Sequence, residues 1–356
     1  MKHVVKTLMY LLAAGFFLAA CSEDSSMPAP SPNEPGTGPF AEGIFVVNEG
    51  QFGQNNGEIS LIDLEEGTVR LALFEEVNNR PFAGLIQSMV DHDALTYLVA
   101  NTGKVEIVNR DDFESVGAVE ADLDLPRSLT VAGGNLYISD WGPFDANFGS
   151  PDSYIAVVEG LTGGAVARKI PVPSRPGKML LRGNQLLIAA EAAGRIVVLD
   201  LATEEIREVE VEGAPRDFIT HNGGLMVFAR SGSTIFLHEL NSSIFQVIAS
   251  HRIELENATS IFDVHENTLY VGANEPFPAT GSLVAAINLN SRQVTNPSFY
   301  TGENLYGLSV NPANGEVWVT DAAGFQGNGQ VFRLDAQGTL LDTFDVGAGP
   351  NGLVFR

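Results

Sequence analysis

The side chains able to recognise or transform a ligand are concentrated in a few polar, glycine-rich segments. One runs from Asn48 through Glu49, Gln51 and Phe52 to Gly57. A second holds Asp140, Trp141 and Phe144, and a third holds Asp321 and Phe325. Phe148 and Phe277 add further rings, and Gln54, Asn55, Asn147, Asn274, Gln326 and Asn328 add neutral donors and acceptors. Rings beside amides suit a large neutral ligand with polar edges, such as a glycan or an amide-bearing cofactor. Arg127 and Arg216 each follow a proline (Pro126, Pro215) and occupy equivalent places in a repeated pattern. They can hold an anionic or amide group, or brace an acidic surface. With Tyr306 and Asn351, these residues make up the candidate ligand-binding set: Asn48, Glu49, Gln51, Phe52, Arg127, Asp140, Trp141, Phe144, Arg216, Tyr306, Asp321, Phe325 and Asn351.

Motifs for covalent or metal chemistry are absent from the sequence. There is no H-E-x-x-H, no G-x-S-x-G and no cysteine cluster. His92, His221 and His265 fall where polar turns are expected, on the face opposite the candidate set, and His238 stands in an aliphatic strand. Glu49, Asp140, Glu191 and Asp321 could ring a divalent cation, and Asp140, Asp145 and Asp152 could hold calcium within one loop. Calcium needs six to eight converging oxygens, which residues from separate repeats do not by themselves supply. The reading is therefore a binding protein, with no catalytic residue, no metal ligand set and no cofactor assigned.

These segments are positioned by a repeat. Gly194-Arg-Ile-Val-Val-Leu-Asp200 has counterparts starting at Gly57, Gly103, Ser153, Ser233, Ser282 and Gly329, at spacings of 46, 50, 41, 39, 49 and 47 residues. Each is a small residue, a β-branched or aliphatic run and a turn-forming side chain. Strand-like units at such a period indicate a propeller. A second landmark, Pro-x-x-apolar followed by a turn and a strong strand, precedes most copies: Pro126-Arg-Ser-Leu129, Pro176-Gly-Lys-Met179 and Pro215-Arg-Asp-Phe218 are the clearest. The first repeat, beginning at Gly43, lacks it, while Pro350-Asn-Gly-Leu353 has no repeat after it. The expected fold is all-β, a seven-bladed β-propeller over residues 41–356, whose strand Asn351–Phe355 completes the first blade. No helix is expected after residue 20. The residues opening each innermost strand (Gln87, Arg127, Lys178, Arg216, Thr259, Tyr306, Asn351) should ring the axis.

Composition narrows the partners. With 20 basic and 44 acidic residues the formal charge is −24, which repels phosphate backbones and argues against nucleic acid. Lys2, His3 and Lys6 precede an apolar run, Leu8 to Ala20, too short to span a bilayer and suited to a signal peptide over residues 1–20. It ends in Leu18-Ala-Ala-Cys21, and Cys21 is the chain's one cysteine. This matches the lipobox of bacterial lipoproteins, so Cys21 is the expected lipidation site and the membrane is met through a lipid anchor only. Residues 21–40, rich in Pro, Ser and Gly, read as a tether.

Ser22-Glu23-Asp24 resembles the surface-export signal of Bacteroidota lipoproteins. The strands Leu136-Tyr-Ile-Ser-Asp140, Leu269-Tyr-Val-Gly-Ala273 and Val317-Trp-Val-Thr-Asp321 resemble those of YVTN/YncE-like seven-bladed propellers. The opening Gly43-Ile-Phe-Val-Val-Asn-Glu-Gly-Gln-Phe-Gly-Gln-Asn-Asn-Gly57 is similar to the start of Bacteroidota outer-membrane lipoproteins of that type. That group includes surface proteins capturing cobalamin for a TonB-dependent transporter. The resemblance implies an outward-facing outer-membrane lipoprotein that captures a ligand, with a corrinoid as first candidate and a TonB-dependent transporter as partner. The alternatives are a metal-dependent, lactonase-like hydrolase and a non-catalytic interaction scaffold.

Overall fold

The computed structural model describes residues 36–356, so the signal segment, Cys21 and most of the tether lie outside the described residues. The described chain forms seven antiparallel sheets of four strands each, arranged as blades of a β-propeller. Blade 1 consists of Ile44–Asn48, Glu58–Asp63 and Thr68–Arg70, with Pro350–Phe355 as its innermost strand. Blades 2 to 7 begin with the innermost strands Ile86–His92, Pro126–Ala132, Pro176–Arg182, Ala214–His221, Ala258–His265 and Leu305–Val310. The expected ring closure is observed: Phe45 pairs with Val354 and Val46 with Leu353. The closure gives Ile44–Asn48 a ladder partner on each side, so this edge is not left open.

The repeated Gly/Ser-aliphatic-acid pattern is the third strand of each blade, and the strong strand before it is the second. Both are largely buried on two faces, because blades stack face to face, so the runs are mostly apolar rather than strictly alternating, with exceptions such as Glu106 and His238. Tyr97, Val99 and Ile107 of blade 2 pack against Leu136 and Ile138 of blade 3. Trp318 and Val331 of blade 7 pack against Val46 and Ile62 of blade 1. Burying one such side chain fully contributes about 1.5–3 kcal/mol. The outermost strands, such as Ile206–Glu210, are short and largely exposed.

One expectation is corrected. A helix, Leu73–Asn78, follows the short outer strand of blade 1. Leu73 and Phe74 are fully buried, Phe74 meets the edge of Phe82 at 5.5 Å, and the first turn is anchored by Glu58. The Glu58 carboxylate accepts the Phe74 and Glu75 N–H groups at 3.2 and 3.1 Å. Six residues are too few for a helical period to stand out in a strand-dominated sequence; burial of two adjacent side chains, Leu73 and Phe74, fixes the turn instead.

Candidate functional site

A local irregularity places the ring of residues around the axis. Every innermost strand carries a β-bulge near its start, where its register against the second strand shifts. In five blades the extra residue is single: Gln87, Arg127, Arg216, Tyr306 and Asn351. In blade 4 Gly177 and Lys178 oppose one partner residue, and in blade 6 the bulge spans Thr259 to Ile261. A bulged residue leaves the ladder and bends the strand, which turns its side chain toward the axis. Thr259 departs from the expected ring: its hydroxyl donates to Gly272 O at 2.9 Å, and Ser260 lines the channel in its place. The result is an axial cavity of about 570 Å³, within the usual range for small-molecule sites.

At its mouth the side chains form a continuous polar chain. The Tyr306 hydroxyl donates to the Glu49 carboxylate, which also accepts Gln87 Nε2 at 2.6 Å. Gln87 Oε1 in turn accepts Arg127 Nη1 at 2.6 Å. The Arg127 guanidinium lies over the Trp141 ring, 3.5 Å from its centroid, and that of Arg175 is 4.9 Å away. Trp141 Nε1 donates to Pro176 O at 3.2 Å. Trp141 was expected to stack on a ligand; its ring instead supports two arginines, each contact contributing about 0.5–2 kcal/mol. Phe325 packs edge-on against Tyr306 at 4.8 Å, and Gln51 Nε2 donates to Phe325 O at 2.8 Å, joining the loops of blades 1 and 7.

Burial in the channel shifts several groups. It pushes the Arg127 guanidinium down to about 10; the charges of Glu49, Asp140 and Glu191 act in the opposite direction, and that of Arg175 adds a smaller lowering. The Tyr306 hydroxyl is held far above its usual range, first by burial and then by the Glu49 charge it faces. Deeper in the channel, burial raises the carboxyls of Asp217 and Asp263, opposed by Lys178. These two acids and Arg175 were not among the candidate residues; Lys178 was expected on the axial ring, where it lies, but not in the ligand-binding set. The signal for the acids was present: Asp217 precedes Phe218, and Asp263 lies between Phe262 and Val264, so each interrupts an apolar stretch of its inner strand.

Several candidates are placed elsewhere. Asn48 is fully buried, and its amide donates to Glu58 O at 3.1 Å and Ser60 Oγ at 2.9 Å, so it knits blade 1 together rather than facing a ligand. Asp140 is likewise fully buried and accepts the N–H groups of Asp124, Leu125 and Gly142 at 2.8–2.9 Å. Asp321 accepts Ala323 N at 2.6 Å and fixes its own turn. Phe52 is 95% exposed at a loop tip, whereas Phe144 packs between Trp141 and Phe148. Arg216 pairs with Glu191, and Asn351 Nδ2 donates to Ile86 O at 3.0 Å. The suggested carboxylate ring is therefore dispersed: Glu49 is held by Tyr306 and Gln87, Asp140 by backbone, Glu191 by Arg216 and Asp321 by its turn. Asp145 accepts Asn147 N and Gly149 N, which accounts for the suggested calcium loop as a turn. Among the described residues no three His, Cys, Asp or Glu side chains gather to hold a metal.

The architecture is shared with solved propellers. A periplasmic gluconolactonase of Pseudomonas aeruginosa superposes with a TM-score of 0.64 at 13% identity, over 88% of this chain and 98% of that one. A Bacteroides fragilis protein provisionally described as a 6-phosphogluconolactonase gives 0.63 at 16%, over 92% and 99%. A quinoprotein alcohol dehydrogenase-like protein of Bacteroides thetaiotaomicron gives 0.65 at 14%, over 89% and 78%. At these identities the likeness is one of fold. No curated protein matches the sequence. The model of the family described as a domain of unknown function, DUF5074, matches residues 42–349, and the chain belongs to that family.

Proposed function

We propose that the propeller captures a small organic ligand at the channel mouth without transforming it. The observation that carries this reading is the chain Tyr306–Glu49–Gln87–Arg127–Trp141. It holds polar side chains in fixed orientations around an open cavity, with the second Arg127 Nη left over, while the nearby carboxylates Glu49 and Glu191 already have partners. A preformed set of this kind lowers the ordering cost of binding. The first candidate cargo is a corrinoid, on the likeness of Gly43–Gly57 to cobalamin-capturing surface lipoproteins. In this reading Cys21 carries the lipid anchor at the outer membrane, and a TonB-dependent transporter receives the cargo. The exposed rings of Phe52 and Phe277, 95% and 96% accessible at loop tips, are available for such a docking. Calorimetric titration of the chain with cyanocobalamin at several salt concentrations tests it. Saturable one-to-one binding is expected; no heat and no spectral change at any salt concentration removes the corrinoid.

The shared fold with gluconolactonases favours a second reading, hydrolysis of a sugar lactone in the same channel. Asp217 and Asp263, whose carboxyls burial holds above the usual range, would be the groups suited to activate water. Turnover of glucono-1,5-lactone that falls on replacing Asp217 with Asn would establish it in place of capture.

A further inference from the structure

Of the 18 basic side chains after residue 35, 12 pair with a carboxylate among the described residues. Arg127 and Arg175 do not, in a chain that carries more than twice as many acids as bases. Both are nevertheless gathered on one indole ring, where two like charges repel. Arg127 uses one Nη on Gln87, and its Nε is buried with no hydrogen-bond partner. Arg175 uses one Nη on Phe148 O. The charges of Glu49, Asp140 and Glu191 offset part of the cost of desolvating Arg127 beside a second guanidinium, but none of the three makes an ion pair with it, so a further negative group would be favourable there.

The acids facing this pair are committed elsewhere. Glu49 is bonded by Tyr306 and Gln87, Glu191 by Arg216, and Asp140 by three backbone N–H groups. Asp217 and Asp263 accept backbone N–H groups deeper in the channel, where Lys178 acts on both and Arg216 also acts on Asp217. Space is left on the blade 4 side, where Gly177 lines the same cavity as Arg127. Gly177 follows Pro176, the residue that Trp141 Nε1 contacts, and a Cβ there would meet only Ala189 O at 3.6 Å.

We propose that Arg127, supported by Arg175 on Trp141, receives an oxyanion of the captured ligand, a carboxylate or a phosphate, entering over Gly177. This deepens the capture reading and rests on it. Guanidinium groups match the planar, two-oxygen geometry of both anions.

The probes are inorganic phosphate, gluconate and, as the uncharged control, glucose. The readout is indole fluorescence, because Trp318 is fully buried away from the channel and Trp141 is the other tryptophan. Saturable responses to phosphate or gluconate but not to glucose are expected. Arg127→Gln should weaken them about tenfold or more, as expected for losing a hydrogen bond to a charged group. Gly177→Met, which keeps every charge, should block gluconate. Arg182→Gln, removing an arginine bonded to Thr220 at 2.8 Å on the opposite face, should change nothing. A stronger response to gluconate marks an organic acid as the ligand class, and a stronger response to phosphate marks a phosphate ester. The proposal is overturned if neither anion gives a saturable response, or if Gly177→Met leaves gluconate binding intact. It is also overturned if Arg127→Gln and Arg182→Gln weaken binding equally. Cyanocobalamin that binds wild type and Arg127→Gln alike would leave capture standing and remove the oxyanion contact; absence of binding by every probe would remove both.

Discussion

Arg356 and Asp91 form a two-pronged ion pair, with Nη2 to Oδ1 at 2.7 Å and Nε to Oδ2 at 2.8 Å. The arginine side chain is 1% exposed and also donates to Phe40 O, Arg110 O and Thr96 Oγ1. It thus rivets the end of the closing strand to blade 2, one blade beyond the sheet that strand completes. Removing one partner of a buried pair strands the other, at a cost of about 3–5 kcal/mol. Arg356→Ala is expected to lower stability by about 3 kcal/mol in urea titration. Deleting residues 346–356 should go further and abolish the cooperative melt, because Ile44–Asn48 then loses its inner partner. An unchanged melt would show that the ring does not depend on this strand.

Asp140 is expected to matter for stability rather than for recognition. Its carboxylate satisfies three backbone donors in a buried turn, and leaving such a group unsatisfied costs about 1–3 kcal/mol. Asp140→Ala should destabilise the fold by at least that amount in denaturant titration, and Asp140→Asn by less. A variant of wild-type stability with impaired ligand binding would return Asp140 to the site.

Trp141 and Phe52 should separate the mouth from its rim. Trp141→Ala removes the support of two guanidinium groups and is expected to weaken cyanocobalamin binding about tenfold, roughly the sum of two partly buried cation–π contacts. Phe52→Ala, at a fully exposed tip, should leave the melting temperature unchanged. Its effect on affinity should be smaller than that of Trp141→Ala in the same titration. Equal and negligible effects would place the ligand on another face.

Glu58 sets a pH dependence with a definite sign. Burial pushes its carboxyl from 4.5 up to about 7, although the N–H groups of Ile59, Phe74 and Glu75 act in the opposite direction. Between those two values the folded chain holds a proton that the unfolded chain has released. Stability from this group is therefore fully present below about 4.5 and is lost as the pH rises toward about 7. Melting temperatures of wild type should fall over that interval more steeply than those of Glu58→Gln. Parallel curves would show that the carboxylate is solvated enough to titrate normally.

The blade count, the closing strand and most of the axial ring were legible because they rest on repetition. Pro126-Arg127, Pro215-Arg216 and Pro350-Asn351 announce the bulge by aligning with one another. The roles of individual polar residues were less legible. Asn48 and Asp140 end second strands in just the places where a ligand-facing residue would stand, and only the fold shows that backbone groups consume them. Trp141 read as a stacking surface because sequence does not reveal that Arg127 and Arg175 reach the same ring from different blades. The helix Leu73–Asn78 was hidden because tertiary burial of Leu73 and Phe74, not a helical period, makes it.

The bulges also bear on how such a site changes. Each ring position stands outside the hydrogen-bond ladder of its blade, so its side chain can be exchanged without disturbing the stacked apolar strands behind it. The propeller therefore resembles a dial whose positions touch: Tyr306, Gln87 and Arg127 are linked by hydrogen bonds and change together, whereas Gly177, beside Lys178, leaves room in blade 4. Relatives that differ in these few letters would keep the same wheel while presenting a different axial lining.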